Sequence, residues 1–182
     1  MATCSTLTTI TKSCDNNIGG IKQVWLWDME DKDILLSVEN STTWSWDDYA
    51  LTGGSPATLP IAYEFIRNSS NFVEEGAIDV NVGSSFTRAT LTLVFTRREA
   101  AKSKSIKLLG DGQRYLGALV LDSNGIYWIF EELQLSAVGD GSGTAKADGS
   151  KYTLTLLSEV PDFAKIITDV QASDFITTGT TI

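Results

Sequence analysis

The sequence contains no histidine, two cysteines, two methionines and three prolines among 182 residues. Without histidine there can be no Ser-His-Asp or Cys-His nucleophile system, no His-ligated metal site and no imidazole proton shuttle. Cys4 and Cys14 are too few for a four-ligand structural zinc site. They read as reduced cytosolic thiols, with a Cys4–Cys14 bridge as the alternative. No apolar run of about 18 residues is present, so no membrane-spanning helix is expected. Met1–Leu7 lacks the basic and apolar parts of a secretory signal. Neither G-x-x-x-x-G-K-[ST] nor G-x-G-x-x-G ahead of a helix occurs, so nucleotide binding has no support. Basic residues are also scarce, 14 against 23 acidic ones, for a net charge of −9. That balance argues against a stand-alone nucleic-acid binder, which needs clustered Lys and Arg to neutralise phosphate. The expectation is a chain that is not an enzyme and carries no cofactor or metal.

Composition is otherwise that of a globular domain, with 42% hydrophobic and 20% charged residues. The length fits one β-rich domain over 18–170, preceded by an extended arm rich in Thr, Ser and Asn at 1–17 and followed by a Thr-rich tail at 171–182. Short apolar runs with β-branched and aromatic residues predict strands at Ile21–Trp27, Ile34–Val38, Phe72–Glu75, Ile78–Val82, Tyr115–Leu121, Ile126–Phe130, Lys151–Leu157 and Ala164–Val170. A further strand begins at Ala62, with Tyr63, Phe65 and Arg67 on one side. The clearest strand is Ser85–Phe95, whose Thr87, Ala89, Leu91, Leu93 and Phe95 alternate with more polar partners, one face in a core and one wetter. Residues 40–60 read as a long loop with at most one short strand, and 136–150, holding four glycines, as a flexible loop. Asp122-Ser123-Asn124-Gly125 between two apolar runs is a hairpin signal. Thr96-Arg97-Arg98-Glu99 has the spacing of a capping box, placing one helix at about 96–109 with Ala101, Ser105 and Leu108 on a face and Gly110 after its end. Together these predict a mainly β fold: an antiparallel β-sandwich or partly open barrel with one flanking α-helix.

Charge is distributed unevenly. Residues 88–114 hold seven bases and two acids, whereas 1–87 hold twelve acids and four bases and 115–182 nine and three. The basic island is either a solvated helix face or a patch complementary to an acidic neighbour, a second copy of the chain among them. The doublets Asp47-Asp48, Glu74-Glu75 and Glu131-Glu132 are solvated acids; on a strand adjacent side chains point to opposite faces, so they are not paired catalytic carboxylates. Trp25/Trp27 and Trp44/Trp46, each two apart, are core or subunit-interface aromatics. If exposed, they would instead form platforms for sugar rings, as in a carbohydrate-binding module. Asp140-Gly141-Ser142-Gly143 and Asp148-Gly149-Ser150 lack the acidic ladder of a calcium loop.

The segment Cys14-Asp15-Asn16-Asn17-Ile18-Gly19-Gly20-Ile21-Lys22-Gln23-Val24 resembles the C-x-N-N-x-G-G-I-x-x-(I/V) opening of tail tube-like virion proteins of tailed bacteriophages infecting Bacteroidetes. Later pieces agree in order: the Phe86–Phe95 strand running into a basic helix, Leu116–Leu121, Asp122-Ser123-Asn124-Gly125 with Trp128, Gly141-Ser142-Gly143-Thr144, Asp148, and Tyr152-Thr153-Leu154. The resemblance spans about residues 14–157. It implies a β-sandwich with one helix, six copies of which close a ring whose inner sheets join into a barrel. Such a protein is a virion component of a tail tube or a short-tail ring or adaptor. Its partners would be copies of itself and other tail or neck proteins, with DNA passing through the lumen without sequence-specific binding, and no membrane. An acidic lumen would repel phosphate. The subunit-interface candidates are Trp44, Trp46, Asp47 and Asp48 in the 40–60 segment, and Arg97, Arg98, Lys102, Lys104 and Lys107 in the basic island, which would meet acids at 28–33 or 47–48 of a neighbour.

Overall fold

The computed structural model describes residues 15, 17–30, 33–36, 39–40, 45–46, 49–52, 60–66, 68–79 and 81–168. Within them the chain forms β1 (Ile21–Asp28), β2 (Asp33–Leu36), β3 (Glu39–Asn40), β4 (Ser45–Trp46), β5 (Tyr49–Thr52), β6 (Ile61–Tyr63), β7 (Asn71–Asp79) and β8 (Ser84–Thr96). There follow α1 (Ala100–Leu109), a 3₁₀ turn at Asp111–Gln113, β9 (Leu116–Asp122), β10 (Tyr127–Gly141), β11 (Lys151–Val160) and β12 (Lys165–Ile167). The fold is mainly β with one flanking helix, as expected.

Two sheets share one strand. The first half of β10 pairs with β9 and β12 in a sheet ordered β6-β1-β9-β10-β12-β4-β3. Its second half pairs with β11 in an antiparallel sheet ordered β10-β11-β8-β7. Between them the β9–β10 register slips from Phe130 to Leu133, and Glu132 takes a φ of 56°. A non-glycine residue in the left-handed region together with a slipped register is a bulge, and bulges bend the strand that carries them. The bend turns the second sheet to face the first. β2 and β5 pair apart from both.

Alternation explains the core. On β8, Thr87, Ala89, Leu91, Leu93 and Phe95 are all buried, and on β11 Tyr152, Leu154, Leu156 and Ser158 are. These meet Val24 and Leu26 of β1, Leu116, Ala118 and Val120 of β9, and Phe130 and Leu133 of β10. The shared sheet is also buried on its opposite face, where Trp25, Trp27, Leu119, Ile129 and Ile167 form a second cluster. Burial on both faces is why β1 and β9 read as continuous apolar runs rather than alternating ones. Trp27 stands directly opposite Gly117, and a Cβ at Gly117 would overlap the Trp27 indole, so the glycine supplies the room for the ring.

The β9–β10 turn is organised by one carboxylate. Buried Asp122 accepts hydrogen bonds from the backbone N–H of Asn124 (2.8 Å) and Ile126 (2.9 Å), and from the Trp128 indole N–H (3.1 Å). Gly125 takes the positive φ of 88° that the turn requires. Ser123 donates to the carbonyl of Gly20 and Asn124 accepts from the N–H of Ile18, so the turn also fixes the entry to β1.

Several expectations change. The strand expected at Phe72–Glu75 and the start of the one expected at Ile78–Val82 are a single strand, β7, which runs through Gly76 and ends at Asp79, so Val82 lies in the turn after it. The loop expected at 136–150 shrinks to 142–150, because β10 continues to Gly141. That loop is pinned by Asp148, whose carboxylate accepts from the N–H groups of Thr144 and Ala145. Residues 40–60 contain β4 and β5 as well as the end of β3, more strand than a long loop. The helix starts at Ala100, not at 96: Thr96 is still paired with Lys151, Arg97 leaves the strand at φ 57°, and Glu99 is the N-cap without a side-chain cap bond. The capping-box spacing is therefore not used as a cap. The buried helix face carries Leu109 and half-buried Ile106, whereas Leu108 is exposed. The arm at 1–14, the tail at 169–182 and Cys4 and Cys14 lie outside the described residues.

Gly117→Ala is expected to lower stability by about 1–3 kcal/mol, the usual cost of forcing atoms into a packed site, read as a lower urea midpoint at unchanged slope. A midpoint equal to wild type would show that Trp27 has room to move.

Candidate functional site

The helix is attached to the inner side of β11 by its first two turns. The Ser103 and Tyr152 hydroxyls are 2.6 Å apart, and the Arg98 guanidinium lies 5.6 Å from the centre of the Tyr152 ring. Backbone N–H groups of Arg97 and Arg98 donate to the carbonyl and hydroxyl oxygens of Ser150. Lys102 donates to the Thr96 carbonyl at 2.8 Å, and Glu99 lies 3.2 Å from Arg97 and 3.8 Å from Lys102. Three of the five basic candidates thus hold the strand-to-helix junction. Lys104 and Lys107 are exposed and make no ion pair among the described residues. Two other members of the basic island are paired within the chain, Arg88 with Glu159 at 2.6 Å and Arg114 with Asp28 at 2.9 Å. Asp28, expected to meet a neighbour's basic residues, thus holds its own chain's Arg114. Of the 40–60 candidates, Trp44, Asp47 and Asp48 lie outside the described residues, and Trp46 is placed as a backbone position in β4 beside Ile167.

Trp25 and Trp27 share a face, as their spacing implies, and are 8% and 6% exposed. This is the buried aromatic pair of the core reading; neither ring is presented as an exposed platform.

The β7-β8-β11-β10 sheet has a more conspicuous surface. Its face away from the core carries half-buried Thr90, Thr92, Val94, Thr153, Thr155 and Leu157, with Thr92 directly opposite Thr155. The charges at its rim include the Arg88–Glu159 pair. Among the described residues β7 pairs only with β8, and β10 beyond Gln134 only with β11, so both outer strands have an open edge. At the β7–β8 tip, Ile78 is 76% exposed and Val82 74%. The sequence pattern makes these two the ends of a short strand, Ile78–Val82. Only the length of β7, which carries Ile78 past the end of the core, reveals their exposure.

A shallow cavity of about 130 Å³ opens beside this sheet, lined among others by Glu74, Glu131, Glu132, Asp162, Phe163 and Lys165. Glu74 accepts the N–H of Ala164 at 2.6 Å, and Glu131 lies 3.4 Å from Lys165. No group of three or more acidic or cysteine side chains among the described residues could hold a metal ion. No helix among them is long and apolar enough to cross a membrane.

Burial raises the Glu74 carboxyl above the ordinary glutamate value of 4.5, and the Ala164 N–H offsets part of that rise. A raised folded-state value means that the ionised carboxylate costs stability at neutral pH. That cost is relieved as pH falls through the raised value toward 4.5. Glu74→Gln, which keeps an oxygen for the Ala164 N–H, is expected to be more stable than wild type at pH 7, with the gap closing on acidification. Denaturation midpoints across that range check this; a gap independent of pH would contradict it.

Comparison with protein-family models and with curated proteins gives no match.

Proposed function

We propose that this chain is a structural, non-enzymatic subunit of a phage tail, closing with copies of itself into a ring of a tail tube or short-tail adaptor through which DNA passes. The observation that carries the reading is the four-stranded sheet whose outer strands, among the described residues, are each paired on one side only. Its strands alternate in direction, so the outer strands β7 and β10 run opposite ways. The β10 edge of one copy can therefore receive the β7 edge of the next in antiparallel register, and the contact repeats head to tail. A heterologous contact of this type closes into a ring when its rotation allows.

The sheet is also staggered in the sense that a barrel needs. β7 ends at Asp79, level with Ser84 of β8, whereas the β10–β11 pairing begins at Gln134–Leu157, level with Thr90. Closed barrels tilt their strands and offset successive registers, by about one residue per strand at a tilt near 36°. Open edges on a lone subunit invite uncontrolled pairing, and closure removes them. The outward face that such a barrel would turn to its lumen is rich in threonine hydroxyls, and its Arg88 is held by Glu159. Among the described residues it offers phosphate no unpaired cation at its centre, which suits passage of DNA without capture. Six copies are the multiplicity that the family resemblance implies.

Negative-stain electron microscopy with mass measurement tests this: rings or stacked rings are the expected result. A 19.7 kDa monomer persisting at high concentration would overturn it. With Lys104 and Lys107 meeting acidic neighbours, ring stability is expected to fall as salt is added; a mass distribution unchanged between low and high salt would remove charge pairing from the account.

A further inference from the structure

We propose that the Met29 thioether is an oxidation site: peroxide converts it to the sulfoxide and thereby loosens the joint about which the two sheets are set. The inference concerns a single copy and stands apart from the ring reading.

The joint is one peptide group. Glu131 and Glu132 fall in a gap between the registers of β10. Pairing with β12 ends at Ile129, pairing with β9 skips from Phe130 to Leu133, and pairing with β11 starts at Gln134. Neither residue has a strand partner among the described residues, so the peptide between them is satisfied by side chains instead. Its carbonyl, that of Glu131, accepts from the Ser158 hydroxyl of β11 at 2.7 Å. Its N–H, that of Glu132, donates to the sulfur of Met29 at 3.2 Å. Ser158 belongs to the second sheet, and Met29 follows β1 of the first, so the bulge peptide is gripped from both sheets at once. Glu132 holds a φ of 56°, and a residue in that region persists only where its surroundings impose it.

Of the two grips, the sulfur is the weaker and the reactive one, since a thioether is a weak acceptor. Met29 is half-buried in a turn beside exposed Glu30, and its own N–H is fixed by the Tyr115 carbonyl at 3.0 Å. Its side chain packs against the cluster of Trp25 and Trp27. The backbone is therefore set, and at 3.2 Å the sulfur and the Glu132 nitrogen leave no space for a further atom between them. In the reaction a sulfur lone pair attacks one oxygen of hydrogen peroxide. The S–O bond forms as the O–O bond breaks, and the departing hydroxide takes the proton of the transferred hydroxyl and leaves as water. Sulfur gives up two electrons and the peroxide gains them. The product is polar and chiral where an apolar side chain had packed. The new oxygen has to be housed either between sulfur and N–H or against the apolar cluster, and both push Met29 away from the joint.

In a Cys4→Ser, Cys14→Ser background the only sulfur atoms are those of Met1 and Met29. Dilute hydrogen peroxide on the folded protein, followed by peptide mapping, is expected to place one added oxygen on Met29. Amide exchange at Glu132 is then expected to quicken about three- to tenfold, the scale of one lost hydrogen bond, and the urea midpoint to fall. Methionine sulfoxide reductase is expected to restore both. Met29→Leu, which keeps apolar bulk without the acceptor, is expected to exchange Glu132 quickly from the start and to be unmoved by peroxide. A Met29 that resists peroxide in the folded protein while Met1 reacts would overturn the site. Sulfoxide at Met29 with exchange and midpoint unchanged, or an equal peroxide-induced loss of stability in Met29→Leu, would overturn the loosening.

Discussion

The architecture depends on a bend in β10. One strand of fifteen residues serves two sheets, and the change of partner takes place over Glu131–Leu133. The bend is supported from outside β10 as well: the Ser158 hydroxyl donates to the Glu131 carbonyl at 2.7 Å, and Lys165 approaches the Glu131 carboxylate. Because both sheets pivot on the same strand, the inward residues of β8 and β11 meet those of β1 and β9 across a single interior. The bend has a second consequence. Past Gln134, β10 has left the strand that covered it in the first sheet, so among the described residues no strand pairs with it on that side. The feature that closes the core is thus the one that leaves the second half of β10, among the described residues, paired on one side only.

The sequence revealed the parts of this fold in which one local rule acts alone. β8 alternates because one face is dry, and Asp122-Ser123-Asn124-Gly125 turns because Asp122 can accept several donors at once while Gly125 takes positive φ. Where two rules compete, the local reading fails. Gly76 looked like a break between strands, but β7 continues because β8 supplies its hydrogen bonds opposite Thr87. Gly139 and Gly141 looked like loop, yet β11 holds both in register. The Thr96–Glu99 spacing fits a helix cap, but Thr96 is already committed to Lys151, and cross-strand pairing wins over capping. Nothing local signals that Glu132 will bend β10, since a positive φ at glutamate is imposed by the two sheets it joins.

The candidate surface was legible in charge but not in geometry. The basic island is real as a stretch of sequence, yet the fold divides it. Arg88 and Arg114 are taken up by acids from the two acidic flanks, and Arg97, Arg98 and Lys102 hold the junction between β8 and α1. Exposed surface ion pairs contribute only about 0–1 kcal/mol each, so these contacts orient the segment more than they stabilise it. Among the described residues, what the island leaves without an ion pair is Lys104 and Lys107, a narrower cationic face than the charge count suggested.

Charge also differs between the two outer strands of the second sheet. β7 carries Glu74, Glu75 and Asp79, and charge along an edge strand discourages pairing with a second copy of the same edge. Edge β10, by contrast, exposes Ser136, Ala137, Val138 and Gly139, which carry no charge, and it lies next to the lysine-bearing helix. Two β7 edges would therefore repel, whereas residues 136–139 of β10 add no like charge. Were copies to meet edge to edge, charge along β7 would thus oppose a symmetric β7–β7 contact and leave a head-to-tail β7–β10 contact unopposed.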